Sequence, residues 1–506
     1  MTALTLAVAA DRALVAHPRT VDLAPPKPGR PPLLRELPAA LLALLVVACA
    51  VALPGGLEAS GRAALAVTAL AVIGWTLSDL PDVTVAILAA VAMVASGALP
   101  GAALEASLAH PMIWLMLSAF VVAGALTASG VAERVSLAAT RRFATVRGLF
   151  YGVAGVIVAT AFAIPSTSGR AALLLPVFLV LAERLPDPRL TRPLALMFPT
   201  VILLSAGGSL IGAGAHVVAA DAIAKATGQP IGVLEWSALT LPFALATSLL
   251  AVELILRLFA PAEARAKRLA RAAAPCAPFT RAQTMVCLAV AGTVALWVTM
   301  PWHGLPAPAV ALIGAAAVLS KSLSGMKTKD AFRKVDVELL VFLAATMSLA
   351  KGMSATGADT WLAARLLEVT PAAVTESRVL IVLMVAGVAT AFHLLVNSRT
   401  ARTAVLIPAL GVPLAGLGHD MALLVLVIAL GTGFCQTLPA SAKPVALFAS
   451  IEQDGFRSSD LLKLAAVLGP LVLALLVLFA VLVWPEQLAA LRGDGTLAAP
   501  IPHDFF

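Results

Sequence analysis

Ser166-Thr167-Ser168-Gly169-Arg170, running on through apolar residues to Pro176, and Ser398-Arg399-Thr400-Ala401-Arg402, running on to Pro408, are two copies of one pattern. In each copy a hydroxyl, any residue, a hydroxyl, a small residue and an arginine lead into an Ala/Leu/Val/Ile segment that ends in proline. The first Ser and the Pro are ten residues apart both times. A polar, arginine-bearing interruption that occurs twice in an otherwise apolar chain reads as two halves of one site, as in transporters built from repeats.

The rest of the chain sets the class. Hydrophobic residues make up 60% of it and charged residues 12%, and the mean hydropathy is +0.98. Soluble domains carry roughly 25% charged residues, so this is a bilayer composition. A span takes about 20 apolar residues, and 506 residues leave room for many. With a single Tyr, an interfacial aromatic belt rests on the seven Trp and on Phe. Cys49, Cys276, Cys287 and Cys435 have no CxxC spacing and read as small core residues, not as a disulfide framework or a metal site. The net charge of +8 lies in loops between apolar runs, which points to membrane orientation and away from a nucleic-acid partner.

Apolar runs fall at about 37–54, 62–78, 83–99 and 111–129, then at 148–164, 171–183, 193–210, 213–227 and 236–260. After a basic stretch they resume at 283–300, 307–320, 336–354, 378–396, 403–418, 421–435, 444–451 and 463–485. Runs 148–164 and 171–183 flank the first polar pattern, and 378–396 and 403–418 flank the second. Short paired runs with a polar tip read as re-entrant helical hairpins, because irregular backbone at membrane depth is tolerated only where it lines protein or a wet cavity.

Loop charge orients the chain. Arg134, Arg141, Arg142 and Arg147 follow the fourth run, and Arg184, Arg189 and Arg192 follow the first hairpin. Arg265, Lys267, Arg268, Arg271 and Arg281 fill the centre, and Lys327, Lys329, Arg333 and Lys334 precede run 336–354. With 37–54 running outward every basic cluster is cytoplasmic, as is the N-terminus. The first hairpin then opens from inside and the second from outside, which is an inverted repeat. Leu126-Thr127-Ala128-Ser129-Gly130 resembles Met353-Ser354-Ala355-Thr356-Gly357, and the duplication sets about 80–235 against 307–455.

The expected fold is an all-α polytopic membrane protein with about 11 transmembrane spans, two re-entrant hairpins and an inverted repeat. Its expected divisions are a mobile tail at 1–36, not a cleaved signal, and a first half at 37–260 with hairpin one at about 148–183. A basic cytoplasmic linker at 261–282, read as an amphipathic helix, leads to a second half at 283–485. That half holds hairpin two at about 378–418, and a C-terminal tail takes 486–506.

At this level the chain resembles the divalent-anion/sodium symporter family, the dicarboxylate, citrate and sulfate carriers of the ion-transporter superfamily. That family carries Ser-Asn-Thr at each hairpin tip, where this chain has Ser166-Thr167-Ser168 and Ser398-Arg399-Thr400. Trp75 to Pro81 is similar to the family's Trp-x-Thr-Glu-Ala-Leu-Pro segment. Ile113–Gly130 and Val337–Gly357 resemble its paired pre-hairpin spans. Gly207-Gly208-Ser209-Leu210-Ile211-Gly212 and Leu438-Pro439-Ala440 resemble the breaks that follow each hairpin. The likeness covers residues 60–485. Both signature asparagines are replaced, by Thr167 and Arg399. The Thr-Pro-Pro-Asn ends of the breaks read here Ala213-Gly214-Ala215-His216 and Ala442-Lys443-Pro444-Val445. The resemblance implies a homodimeric anion carrier with sodium as a coupling ion. Its first-half sodium ligands map to Ser166, Thr167, Gly208 and Gly212.

The residues themselves can hold an anion. Helix N-termini supply N–H groups and a positive dipole end, and helices beginning at Ala171 and Thr403 would aim theirs at the gap between the tips. Ser166, Thr167, Ser168, Ser398 and Thr400 add hydroxyls that donate to an anion or accept from a cation. Arg399 offers a carboxylate or sulfate two parallel N–H bonds. Arg170 and Arg402 leave two readings open, anion contact or capping of carbonyls, and Lys443 is a further candidate ligand. His216 and His393 read as satisfied interior histidines.

A guanidinium at a sodium site removes an oxygen ligand and adds a fixed charge. At about 4 Å and an effective dielectric near 20 the repulsion is roughly 4 kcal/mol. The second-half sodium site is therefore expected to be lost or displaced, with Arg399 a built-in cation and transport running by exchange, by proton coupling or on one remaining sodium. A membrane enzyme lacks any metal cluster or nucleophile–base spacing in this sequence, and no cofactor is expected. An anion channel, or an arsenite or cation/proton antiporter of the same superfamily, fits the hairpins less well than a carrier of small divalent anions. The expected partners are that anion, the bilayer of the cell (inner) membrane and a second copy of the chain.

Overall fold

The computed structural model describes residues 56–493 apart from 79, 132–133, 135–142, 270–277, 321–326, 334, 370–376, 397, 450 and 452–454, together with 42, 44–46 and 48. The expected tail at 1–36, Arg141, Arg142, Arg271, Cys49 and Cys276 lie outside the described residues.

The described residues are helical, with one isolated antiparallel bridge between Thr145 and Arg268 and no named strand. In the first half the helices are α1 (Ala59–Leu77), α2 (Asp82–Ala95), α3 (Gly101–Leu108), α4 (Pro111–Ala128), α5 (Val146–Thr160), α6 (Thr167–Arg184), α7 (Thr191–Ser205), α8 (Gly214–Thr227) and α9 (Val233–Phe259). The second half begins with α10 (Arg281–Val298), α11 (Ala307–Leu319), α12 (Val337–Ala355), α13 (Ala358–Val369) and α14 (Arg378–Ala391). It continues with α15 (Arg399–Leu406), α16 (Val412–Gly416), α17 (Met421–Gly431), α18 (Lys443–Ala449), α19 (Ser458–Leu478) and α20 (Trp484–Gly493).

Five helical stretches are long and apolar enough to cross a membrane: Gly101–Ala128, Pro188–Gly208, Val233–Phe259, Val337–Ala355 and Ser458–Arg492. Shorter apolar helices of 10–17 residues accompany them. Burial separates their environments. The apolar window of Pro188–Gly208 is 94% buried, that of Ser458–Arg492 only 22%. The first is the middle of the bundle. The second turns Leu462, Leu471, Leu478 and Leu482 outward, which is favourable only where the surrounding medium is hydrocarbon.

Packing between elements comes in exchanged pairs. α2 lies on α12 while α11 lies on α4, and α8 meets α15 while α18 meets α6. Likewise α8 packs on α17 and α18 on α7, while α5 meets α9 as α14 meets α19. Such an exchange is what a duplication of segments of like sequence pattern predicts. The paired motifs Leu126–Gly130 and Met353–Gly357 fold alike. α4 and α12 each end on a hydroxyl residue followed by a glycine in the left-handed region, Gly130 at φ 68° and Gly357 at φ 67°. A residue with a Cβ is strained there.

Two expectations change. The linker is not one amphipathic helix where it is described. Only Ala262–Ala266 is helical, and the chain then runs extended, with Leu269 N donating to Ala144 O at 3.0 Å. Pro261 starts this turn, and the Thr145–Arg268 bridge takes the backbone that a helix would have used. The C-terminal stretch expected to be a tail from 486 begins as α20, fixed by Trp484, which is wholly buried and donates Nε1–H to Leu239 O at 2.9 Å.

Candidate functional site

Each polar pattern sits at a hairpin tip. α5 and α6 form the first hairpin, α14 and α15 the second. The first serine of each copy is the N-cap of the returning helix: Ser166 Oγ accepts from Gly169 N at 3.2 Å, and Ser398 Oγ from Ala401 N at 3.3 Å. These caps let the helices begin at Thr167 and Arg399, four residues ahead of the expected starts at Ala171 and Thr403. Thr167, Ser168, Gly169 and Arg170, like Arg399, Thr400 and Arg402, therefore lie in first turns, where donor groups and the positive dipole end are concentrated.

Arg170 is wholly buried and bound on several sides. Its guanidinium donates to Thr160 Oγ1 (3.0 Å), Ile202 O (2.9 Å), Ile157 O (2.6 Å) and Ser205 Oγ (2.8 Å). It pins α6 to α5 and to the end of α7, so its carbonyl-capping role is plain on geometry. Arg402, also wholly buried, donates among the described residues only to Cys435 Sγ, at 2.8 Å, leaving Nε and Nη1 without a partner among them. The buried Gln436 folds its Oε1 onto Cys435 N–H at 2.8 Å, which leaves Gln436 Nε2 unpartnered beside the same cysteine.

Arg399 is half-buried and reaches between the halves. It donates Nη1–H to Leu203 O near the end of α7 (3.3 Å) and Nη2–H to Ala429 O near the end of α17 (3.1 Å). Carbonyls at helix C-termini carry partial negative charge, so the guanidinium occupies a place suited to a cation. Gly433 makes room for it, since a β-carbon there would lie 2.7 Å from Arg399 Nη2.

α7 is broken after Ser205 by two turns of 3-10 helix, Ala206–Gly208 and Leu210–Gly212, before α8 starts at Gly214. The first residues of α8 have no side-chain cap although they are buried. Gly214 abuts hairpin two; a β-carbon on it would lie 3.0 Å from Thr400 Oγ1. α17 is followed by the second break, which ends at α18. Lys443 stands exposed at the first position of α18. It lies within electrostatic reach of Asp82, which sits beside Ser398. Of the residues read as sodium ligands, Ser166 and Thr167 are at the first tip, and Gly208 and Gly212 line the adjoining break.

The structure thus gathers Arg170, Arg399, Arg402 and the tip hydroxyls around two broken helices. Sequence reasoning passed over Thr160, Ser205, Cys435, Gln436 and Asp82, whose types and spacings carry no signal. It treated His216 as satisfied, yet only one ring nitrogen is: Nδ1 lies 2.9 Å from Ser209 O, and Nε2 has no partner among the described residues. His393 bears out the sequence reading, with Nδ1 2.6 Å from Thr390 O and Nε2 2.8 Å from Thr437 Oγ1.

The family described as the sodium:sulfate symporter transmembrane region matches residues 35–490. The chain belongs to that family. A membrane protein of Cupriavidus necator is 25% identical over 418 residues, covering 76% of this chain and 79% of that one. The citrate/succinate antiporter of Escherichia coli is 26% identical over 392 residues, covering 74% and 78%. A chloroplastic dicarboxylate transporter of Spinacia oleracea is 25% identical over 335 residues, covering 62% and 58%. The crystal structure of the Alcanivorax borkumensis YdaH transporter superposes with a TM-score of 0.52 at 16% identity, over 92% of this chain and 99% of that one, a likeness of fold. The family member described here is a multi-pass membrane transporter and not an enzyme.

Proposed function

We propose that this carrier moves small divalent anions (dicarboxylates, citrate or sulfate) across the cell (inner) membrane by alternating access. It exchanges one anion for another without sodium in the second half. The observation that carries the reading is a cluster of guanidiniums, the wholly buried Arg170 and Arg402 and the half-buried Arg399, none in an ion pair among the described residues. A buried charge costs several kcal/mol unless it is compensated. Arg170 and Arg399 are compensated in part by carbonyls and hydroxyls, whereas Arg402 keeps free donors. An anion completes the site. Once it leaves, the empty carrier holds fixed positive charge that cannot dissociate as sodium would, so return without a second anion is disfavoured. The Escherichia coli relative is an antiporter of citrate and succinate, and the spinach relative a dicarboxylate transporter, in keeping with this substrate class.

The inverted arrangement of the halves, a cytoplasmic N-terminus and a homodimer complete the proposal, the first two supported by the loop charges. A second reading keeps one sodium at the first tip with Ser166, Thr167, Gly208 and Gly212, favoured by the absence of arginine at that signature position. Uptake into proteoliposomes preloaded with anion tests both. Uptake should require the internal anion and persist when choline replaces sodium. A sodium requirement with a Hill coefficient of about two or more, which needs at least two sodium sites, would overturn it.

A further inference from the structure

His216 is wholly buried in the first turn of α8, and its ring is locked on two sides. It stacks on Trp236, centroids 5.4 Å apart with planes 32° from parallel, and Trp236 is itself held by its Nε1–H on Gly207 O at 3.0 Å. His216 Nδ1 faces Ser209 O at 2.9 Å. A carbonyl oxygen only accepts, so Nδ1 carries the hydrogen, and in the neutral ring Nε2 is then a bare acceptor. Arg399 of hairpin two and Arg170 of hairpin one are both within electrostatic reach of the ring, and among the described residues no carboxylate is. A third buried positive charge would stand uncompensated there, so the ring is neutral.

Three buried atoms on these neighbouring groups lack partners among the described residues: His216 Nε2, Arg399 Nε and Ser209 Oγ. The first only accepts, the second only donates, and the third does either. The geometry points to a ligand that brings its own hydrogen-bond donor next to a carboxylate. That fragment is a 2-hydroxycarboxylate: the carboxylate takes Arg399 Nε–H, the hydroxyl donates to His216 Nε2, and Ser209 Oγ bonds either group. The assignment rests on the carrier reading above and narrows its substrate class. A fully ionised dicarboxylate without a hydroxyl has acceptors only and leaves Nε2 unpaired. The same acceptor can be filled by the acid proton of a monoprotonated dicarboxylate, so the shared chemistry is an O–H donor.

Exchange in proteoliposomes with matched pairs tests this, malate against succinate and citrate against tricarballylate, each pair differing by one hydroxyl. At pH about 8 all the carboxyls of malate and succinate are ionised, and the hydroxy compound should compete roughly 10- to 100-fold better. His216→Asn keeps a donor near the Nδ1 position and removes the acceptor, so the ratio should fall toward one. His216→Gln, which places an amide oxygen near Nε2, should restore part of it. If preference appears only near pH about 5, for both members of a pair, and is lost in His216→Asn, the donor is the acid proton. A wild-type ratio near one at both pH values, or a ratio unchanged in a monodisperse His216→Asn protein, overturns the assignment. Absence of exchange with every compound in the wild type would instead overturn the carrier reading.

Discussion

Arg402 stands in the second hairpin where Arg170 stands in the first, yet Arg170 donates four hydrogen bonds to protein oxygens and Arg402 one, to sulfur. Equivalent positions therefore do different work. The first guanidinium ties its hairpin to the broken helix behind it, and the second is left with donors for a ligand.

Replacing each by leucine should separate these roles. Arg170→Leu takes the guanidinium donors from Ile202 O and Ser205 Oγ and leaves Ile157 O and Thr160 Oγ1 with only each other, and an unsatisfied buried group costs about 1–3 kcal/mol. The variant should lose several degrees of melting temperature in detergent and give little folded protein. Arg402→Leu removes a charge that the protein does not compensate, so its melting temperature should stay near or above wild type while anion exchange is lost. Equal destabilisation by both changes would show that Arg402 is structural too.

Arg399→Asn should bring sodium into the cycle. The change withdraws the guanidinium from Leu203 O and Ala429 O and supplies an amide oxygen at the place where the family carries one. Relief of repulsion worth roughly 4 kcal/mol corresponds to about a thousandfold in cation affinity. Anion uptake by the variant should rise with sodium where the wild type does not, read by sodium titration against choline. Uptake by the variant that is still indifferent to sodium would show that Arg399 does not take the place of a cation.

The duplicated glycines give a stability test of the repeat. Gly130 and Gly357 both close a helix in the left-handed region, where an L residue costs about 1–2 kcal/mol. Gly130→Ala and Gly357→Ala should lower unfolding stability by similar amounts. Gly212→Ala should cost more, because its β-carbon would collide with Ala206 O, a backbone atom that cannot rotate away. Thermal unfolding of the three variants ranks them.

How much of this was legible in the sequence differs from residue to residue. The hairpins, the breaks and the Leu126–Gly130 and Met353–Gly357 pair were readable because apolar runs, glycines and caps act locally. The same local logic located Ser166 and Ser398, but it started their helices four residues late, since polar residues in a first turn look like loop. The contrast between Arg170 and Arg402 could not be read. It depends on Ile202, Ser205 and Cys435, which lie more than thirty residues from their arginines and enter through tertiary packing. The half-satisfied ring of His216 depends on the irregular backbone at Ser209 in the same way. The linker misled because its Arg, Lys and Ala spacing favours a helix, while pairing of Arg268 with Thr145 decides otherwise.

Asp187 joins the loop after hairpin one to the central linker, and its charge gives a pH signature. It accepts from Arg189 N (3.0 Å), Nε (3.1 Å) and Nη2 (2.8 Å) and from Lys267 Nζ (2.9 Å). Arg189 first and Lys267 next hold its carboxyl well below the ordinary carboxylate range. A carboxylate whose folded pKa is depressed contributes stability above its unfolded pKa of about 3.9 and loses it as pH falls toward the folded value. Asp187→Asn should therefore destabilise the protein by a constant amount from pH about 8 down to about 5, and the gap to wild type should close below about 4. Both cationic partners are about half exposed, Arg189 at 55% and Lys267 at 45%, so salt should narrow the gap at neutral pH. Melting temperatures of the two proteins across pH, at low and high salt, check this. A gap that is unchanged by pH and by salt would mean that Asp187 acts through its backbone cap and not through its charge.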